Sequence, residues 1–79
     1  MSHEKIEKFA RMANQIGDYY ASQPPEEGAS GVALHIRKFW TPKMIAETIA
    51  ALEAGKLVMN ATTAQGFAIL RKEFVAVGE

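Results

Sequence analysis

Two proline-containing segments divide the chain into pieces of helical length. Ser22-Gln23-Pro24-Pro25 ends the first piece, and Thr41-Pro42 separates the second piece from the third. Proline lacks an amide hydrogen and clashes with the preceding turn, so helices end before such segments and restart at them. Between these breaks, apolar residues recur at spacings of three and four, which is typical of amphipathic helices. The four stripes are Ile6, Phe9, Ala13, Ile16 and Tyr20; Ala29, Val32, Ala33, Ile36, Phe39 and Trp40; Ile45, Ile49 and Leu52; and Ala64, Phe67, Leu70, Arg71 and Phe74.

This pattern predicts an all-α domain of three to four helices with short loops. The predicted helices cover about 3–21, 25–40, 42–54 and 62–76 of a single domain, 1–79. Ser2 and Thr41 are predicted N-caps, Gly55 is a predicted C-terminal stop, and either Asn60 or Thr62 caps the fourth helix.

Glycines inside the second predicted helix also carry information. Gly28 and Gly31 each weaken a helix by up to about 1 kcal/mol relative to alanine. We therefore expect another backbone to approach the second helix closely at these positions.

The size of the chain limits its stability. A core built from 79 residues is marginal, and no cysteine is available for disulfides or thiolate metal ligands. Docking on a partner or self-association is the usual remedy. The lack of cysteine and of an apolar leader or a membrane-spanning run favours a cytoplasmic protein.

The charges cancel overall but are unevenly distributed. Nine basic and nine acidic residues give no net charge, yet no acidic residue lies between Gly28 and Ala46. Arg37, Lys38 and Lys43 lie in that interval. They are either a solvated basic face or a surface complementary to an acidic protein. Nucleic-acid binding is disfavoured because no further basic residues extend the run.

Residues suited to catalysis are not grouped in the sequence. His3 and His35 are far apart, and His35 has no carboxylate within four residues. Neither a metal-ligand cluster nor a phosphate-binding glycine loop is recognisable. We therefore expect that the chain is not an enzyme by itself.

Several side chains face away from the predicted apolar stripes. Leu34 falls opposite Ala33 and Ile36 on the second helix, and Met12, Tyr19 and Met44 lie beside or away from their own stripes. Grouped together, such residues would form a protein-binding site. Phe39 and Trp40 are either core residues or partner anchors. Asn14 has poor helix propensity. Simple exposure is the favoured explanation, and an amide bonded to another helix or to a partner is the alternative.

The order of the polar and aromatic residues resembles one known family. Arg11-Met12-Ala13-Asn14-Gln15-Ile16-Gly17, aromatic residues at 19 and 20, Ser22-Gln23-Pro24 and His35-Ile36-Arg37-Lys38-Phe39-Trp40-Thr41-Pro42-Lys43-Met44 are similar to the delta subunit of NAD-dependent formate dehydrogenase. The resemblance covers about Ile6 to Met44. Family members generally have Phe-Phe in place of Tyr19-Tyr20, and an acidic residue and an arginine in place of Thr41 and Lys43. The segment from Lys56 onward matches poorly.

The resemblance implies an accessory role without cofactors in this chain. In that family the alpha subunit carries a molybdenum bis-pterin centre and iron–sulfur clusters, while the beta and gamma subunits carry FMN, further clusters and the NAD site. The delta subunit would associate with the alpha subunit and aid its assembly or stability.

We therefore hypothesise docking on the alpha subunit, with neither nucleic acid nor membrane as a partner. The alternatives are a transient assembly chaperone for a molybdoenzyme and a free-standing homodimer. The candidate partner-binding residues are Met12, Asn14, Gln15, Leu34, His35, Arg37, Lys38, Trp40, Lys43 and Met44.

Overall fold

The described part of the chain forms four α-helices. The computed structural model describes the backbone of residues 3–78 and the side chains of residues 4–73. The helices are α1 (His3–Tyr20), α2 (Pro25–Phe39), α3 (Pro42–Glu53) and α4 (Ala61–Gly78). Residues 3–78 contain no strand, so the prediction of an all-α domain is confirmed. The predicted cap Ser2 and the side chain of Phe74 lie outside the described residues.

The core lies where α1, α2 and α4 meet, and the Trp40 ring packs against aromatic rings of α1 and α4. The Trp40 ring lies 5.6 Å from that of Phe9 on α1 and 6.0 Å from that of Phe67 on α4, measured between centroids. Only 7% of Trp40 is exposed. The core cluster comprises Phe9, Ala13, Val32, Ala33, Ile36, Trp40, Ile45, Phe67 and Leu70.

The placement of Phe39 in the second apolar stripe is wrong. Phe39 is 72% exposed although Trp40, the next residue, is buried. At 100° per residue Phe39 lies about 60° from Ile36, at the edge of the stripe next to His35, whose ring it contacts. Trp40, the C-cap of α2 with an extended backbone at φ −100° and ψ 146°, falls within the stripe, about 40° from Ile36.

Local capping sets the ends of α3 and the start of α4. The Met44 amide donates to the Thr41 hydroxyl over 3.1 Å, as predicted for an N-cap. Gly55 adopts φ +74°. The backbone amide of Gly55 donates a hydrogen bond to the Leu52 carbonyl, and that of Lys56 donates one to the Ala51 carbonyl. This is the Schellman arrangement, which confirms Gly55 as the stop.

Helices α1 and α4 contact each other through Asn14, Gly17, Asn60 and Thr63, which we call the α1–α4 seam. Hydrogen bonds link its polar residues. The Asn60 amide donates to Asn14 Oδ1 over 2.8 Å, and the Thr63 amide donates to Asn60 Oδ1 over 2.9 Å. Asn60 is therefore the cap of α4, not Thr62. Gly17 lies so close to Thr63 that an added Cβ would overlap the threonine hydroxyl.

Close approaches also explain the glycines of α2. A Cβ on Gly28 would lie 2.9 Å from the Tyr20 backbone carbonyl, which confirms the predicted backbone approach at that position. At Gly31 the prediction of a close backbone is wrong, because the close neighbour is a side chain. The Tyr20 ring lies 2.6 Å from the position that a Gly31 Cβ would occupy.

Candidate functional site

An open groove lies between α1 and α2, on the face of α1 that points away from the α1–α4 seam. Its volume is about 760 Å³. We call it the α1–α2 groove, and it is lined by Met12, Gln15, Ile16, Tyr19, Tyr20, His35, Phe39, Trp40 and Met44. Seven of these nine side chains are aromatic or aliphatic, counting the two methionines, and only Gln15 and His35 are fully polar.

The short α1–α2 connection sets the shape of the groove. Four residues join the two helices, so they run in opposite directions, and Tyr20 at the end of α1 reaches Gly31 on α2. Because Gly31 has no side chain, the Tyr20 ring can approach the α2 backbone closely at this end of the groove. Met44 of α3 and Trp40 also line the groove.

Two exposed aromatic rings stand on opposite sides of the groove. Tyr19 is 75% exposed and meets Tyr20 edge to face, with 4.9 Å between ring centroids. Phe39 contacts the His35 ring at 4.8 Å. Large apolar side chains exposed to water favour association, because burying them contributes a free energy of roughly 25 cal/mol per Å² of apolar surface.

The groove contains half of the ten predicted partner-binding residues. Met12, Gln15, His35, Trp40 and Met44 line it, with Trp40 contributing only an edge since it is otherwise a core residue.

The other five predicted residues lie elsewhere. Asn14 belongs to the α1–α4 seam, where it also donates to the Val58 carbonyl over 3.2 Å. Arg37 makes a bidentate ion pair with Glu73 of α4. The distance is 2.6 Å from Arg37 Nη2 to Glu73 Oε2 and 3.1 Å from Arg37 Nε to Glu73 Oε1. Leu34, Lys38 and Lys43 are exposed outside the lining.

Sequence reasoning left four groove residues out of the predicted site: Ile16, Tyr19, Tyr20 and Phe39. Ile16 and Tyr20 were assigned to the core stripe, and both are in fact half-buried at its edge. A usable signal was the spacing of Met12, Gln15, Ile16 and Tyr19, which is the i, i+3, i+4, i+7 pattern of a second apolar strip.

The lining is suited to apolar contact rather than to reaction chemistry. Across the described part of the chain, no group of three or more His, Asp or Glu side chains could hold a metal ion. His35 is the one titratable imidazole in the groove, and its described neighbour is the Phe39 ring. Within the same residues, no helix has the length and apolar character needed to cross a membrane.

The fold and the groove define a small helical domain with an apolar groove on one face. Residues 8–65 match the family of the NADH-dependent formate dehydrogenase delta subunit, FdsD, and the chain belongs to that family. No curated protein and no solved structure matches the chain. The family match includes every groove residue. It also runs through the α3–α4 linker into α4, so the expectation of a resemblance ending near Met44 was too narrow.

Proposed function

We propose that the chain is a non-catalytic accessory subunit that docks on the molybdenum-containing alpha subunit of formate dehydrogenase through the α1–α2 groove. The observation that carries this proposal is the pair of exposed aromatic rings, Tyr19 and Phe39, beside an apolar groove. All of these residues lie within the region that matches the family. Docking would cover the groove and add to the stability of a small domain, while it aids the assembly or stability of the alpha subunit.

The cofactors belong to the partner subunits in this proposal. Molybdenum bis-pterin and iron–sulfur clusters would lie in the alpha subunit, and FMN, further clusters and the NAD site in the other subunits. The donor chemistry of the groove supports this division, because its methionine, isoleucine and aromatic lining offers neither thiolates nor carboxylates as ligands. The cysteine-free sequence fits assembly in a reducing cytoplasm.

The test is retention of the chain by the enzyme. A tagged chain is expressed in its host, formate dehydrogenase is purified through the tag, and the ratio of this chain to the alpha subunit is measured. We expect near-equal amounts in active enzyme. Tyr19→Ala combined with Phe39→Ala should remove most of the alpha subunit from the eluate.

Val58→Ala is the matched control because Val58 is an exposed apolar residue (85%) outside the groove. It should leave the ratio unchanged. Recovery of the alpha subunit only in cofactor-free form would favour a transient chaperone. Recovery of the chain alone, at twice its monomer mass, would favour the homodimer and contradict the proposal.

A further inference from the structure

We propose that the segment held in the α1–α2 groove is an acidic, amphipathic α-helix of the catalytic subunit. This inference rests on the docking function proposed above and specifies the chemistry of the docked segment. It is carried by the dimensions of the groove, by the chemistry of its lining and by the charges beside it.

The dimensions suit about two turns of helix. From Met12 to Tyr20 the α1 side of the groove extends roughly 12 Å at 1.5 Å per residue. Two antiparallel helices with a gap between them present a channel into which a third helix can pack its side chains. Such helices place apolar anchors at i, i+3 or i+4, and i+7.

The lining favours a helix over an extended segment. An extended chain needs partners for its backbone amides and carbonyls, and it finds them at a free strand edge. The groove offers side chains from helices, of which only Gln15 and His35 are fully polar. A helix satisfies its own backbone hydrogen bonds and therefore loses least on entering an apolar groove.

Basic side chains lie next to groove residues in the chain. Exposed Lys38, near the end of α2, precedes Phe39, and exposed Lys43, at the start of α3, precedes Met44. Lys8 is exposed one turn before Met12 and only about 40° from it around α1. The nearby acid Glu47 is paired with Lys5 at 3.3 Å. An acidic partner would complement Lys8, Lys38 and Lys43.

The same charges disfavour a second copy of this chain as the occupant. In a twofold-symmetric dimer each patch faces its own counterpart. Where the twofold axis passes near them, Lys38 and Lys43 would approach the same lysines of the other copy, and residues 28–46 would supply no acidic side chain. Like charges brought together in an interface oppose association.

Photo-crosslinking identifies the docked segment. Phe39 is replaced by a photoreactive phenylalanine analogue in the full chain, the complex with formate dehydrogenase is irradiated, and the linked peptide is sequenced. We expect a helical alpha-subunit segment with apolar residues at i, i+3 or i+4, and i+7 and with at least two acidic residues. The same analogue at position 58 is the control and should not link to that segment.

The outcomes separate this inference from the proposed function. A link to an alpha-subunit segment that is extended or lacks acidic residues overturns the acidic helix and leaves docking intact. A link from position 39 only to another copy of this chain overturns both.

Charge reversal tests the electrostatic part. Lys38→Glu with Lys43→Glu should weaken binding to the alpha subunit about tenfold at low salt, and the difference should shrink as salt is added. Lys56→Glu with Lys72→Glu changes the charge equally at exposed positions outside the groove, and should alter affinity by less than about twofold. Equal affinities of the two double variants would overturn the acidic partner.

Discussion

The two sides of α1 are built in opposite ways. On one side, the α1–α4 seam brings Gly17 into contact with Thr63 and joins the helices through the Asn14–Asn60 hydrogen bonds. On the other side, the α1–α2 groove leaves Tyr19 and Phe39 exposed and holds larger, mostly apolar side chains. The same helix therefore presents a closed polar contact and an open apolar one.

The difference shows which contacts the isolated chain completes by itself. In the seam, buried polar groups find partners within the chain, as the energetics of burial require. In the groove, apolar surface remains without a cover, although burying it would be favourable. We interpret the seam as a contact that serves folding and the groove as a contact that serves docking.

The largest expected effect on stability is that of replacing Trp40, and its neighbour Phe39 provides the comparison. Trp40→Ala should lower the free energy of unfolding by about 3–5 kcal/mol, because the ring fills the space between Phe9 and Phe67. Phe39→Ala should change it by less than about 0.5 kcal/mol, because the ring is exposed. Urea unfolding followed by circular dichroism measures both. Similar losses for the two variants would contradict the division between core and groove.

Two glycine substitutions compare the closed and open sides directly. Gly17→Ala should destabilise the chain by about 1–3 kcal/mol, since the new methyl group overlaps Thr63 in the seam. Gly31→Ala also meets a close neighbour, but the Tyr20 ring can move into the groove, so we expect a clearly smaller cost.

Both variants gain the same helix propensity, and the difference in their melting temperatures therefore isolates the packing effect. A larger loss for Gly31→Ala would mean that the groove side is packed as rigidly as the seam.

The last comparison is between two neighbouring amide side chains on α1. Asn14→Ala should cost about 1–3 kcal/mol, because it leaves the Asn60 amide and the Val58 carbonyl without their partner. Gln15→Ala should stay within about 0.5 kcal/mol, because Gln15 is an exposed groove residue. Thermal unfolding of the two variants gives the comparison, and equal stabilities would remove the Asn14 network from the account of the seam.

The sequence was sufficient where structure is set locally. Thr41, Pro42 and Gly55 act on residues within five positions of themselves, and each has the predicted role. The poor helix propensity of Asn14 left a bonded amide as the alternative to simple exposure, and the structure shows the bonded amide. Its partner Asn60 lies 46 positions away, and no local pattern identifies a contact at that separation.

The groove could be predicted only in part for the same reason. The side chains of Met12 and Met44 lie off their core stripes, which the 3.6-residue repeat reveals. Their assembly into one groove depends on how α1, α2 and α3 pack together. Phe39 shows a further limit, because it lies at the edge of the α2 stripe, and the angular repeat does not show whether a neighbouring helix covers such a position.

The most direct test of docking through the groove is hydroxyl-radical footprinting of the unsubstituted chain, alone and bound to the alpha subunit. Radical oxidation reports the solvent exposure of methionine and aromatic side chains without any mutation. We predict that Tyr19, Phe39, Met12 and Met44 lose most of their reactivity in the complex, while Met59, which is half-buried outside the groove, keeps its own. Unchanged oxidation of Tyr19 and Phe39 in a complex that remains assembled would contradict the account.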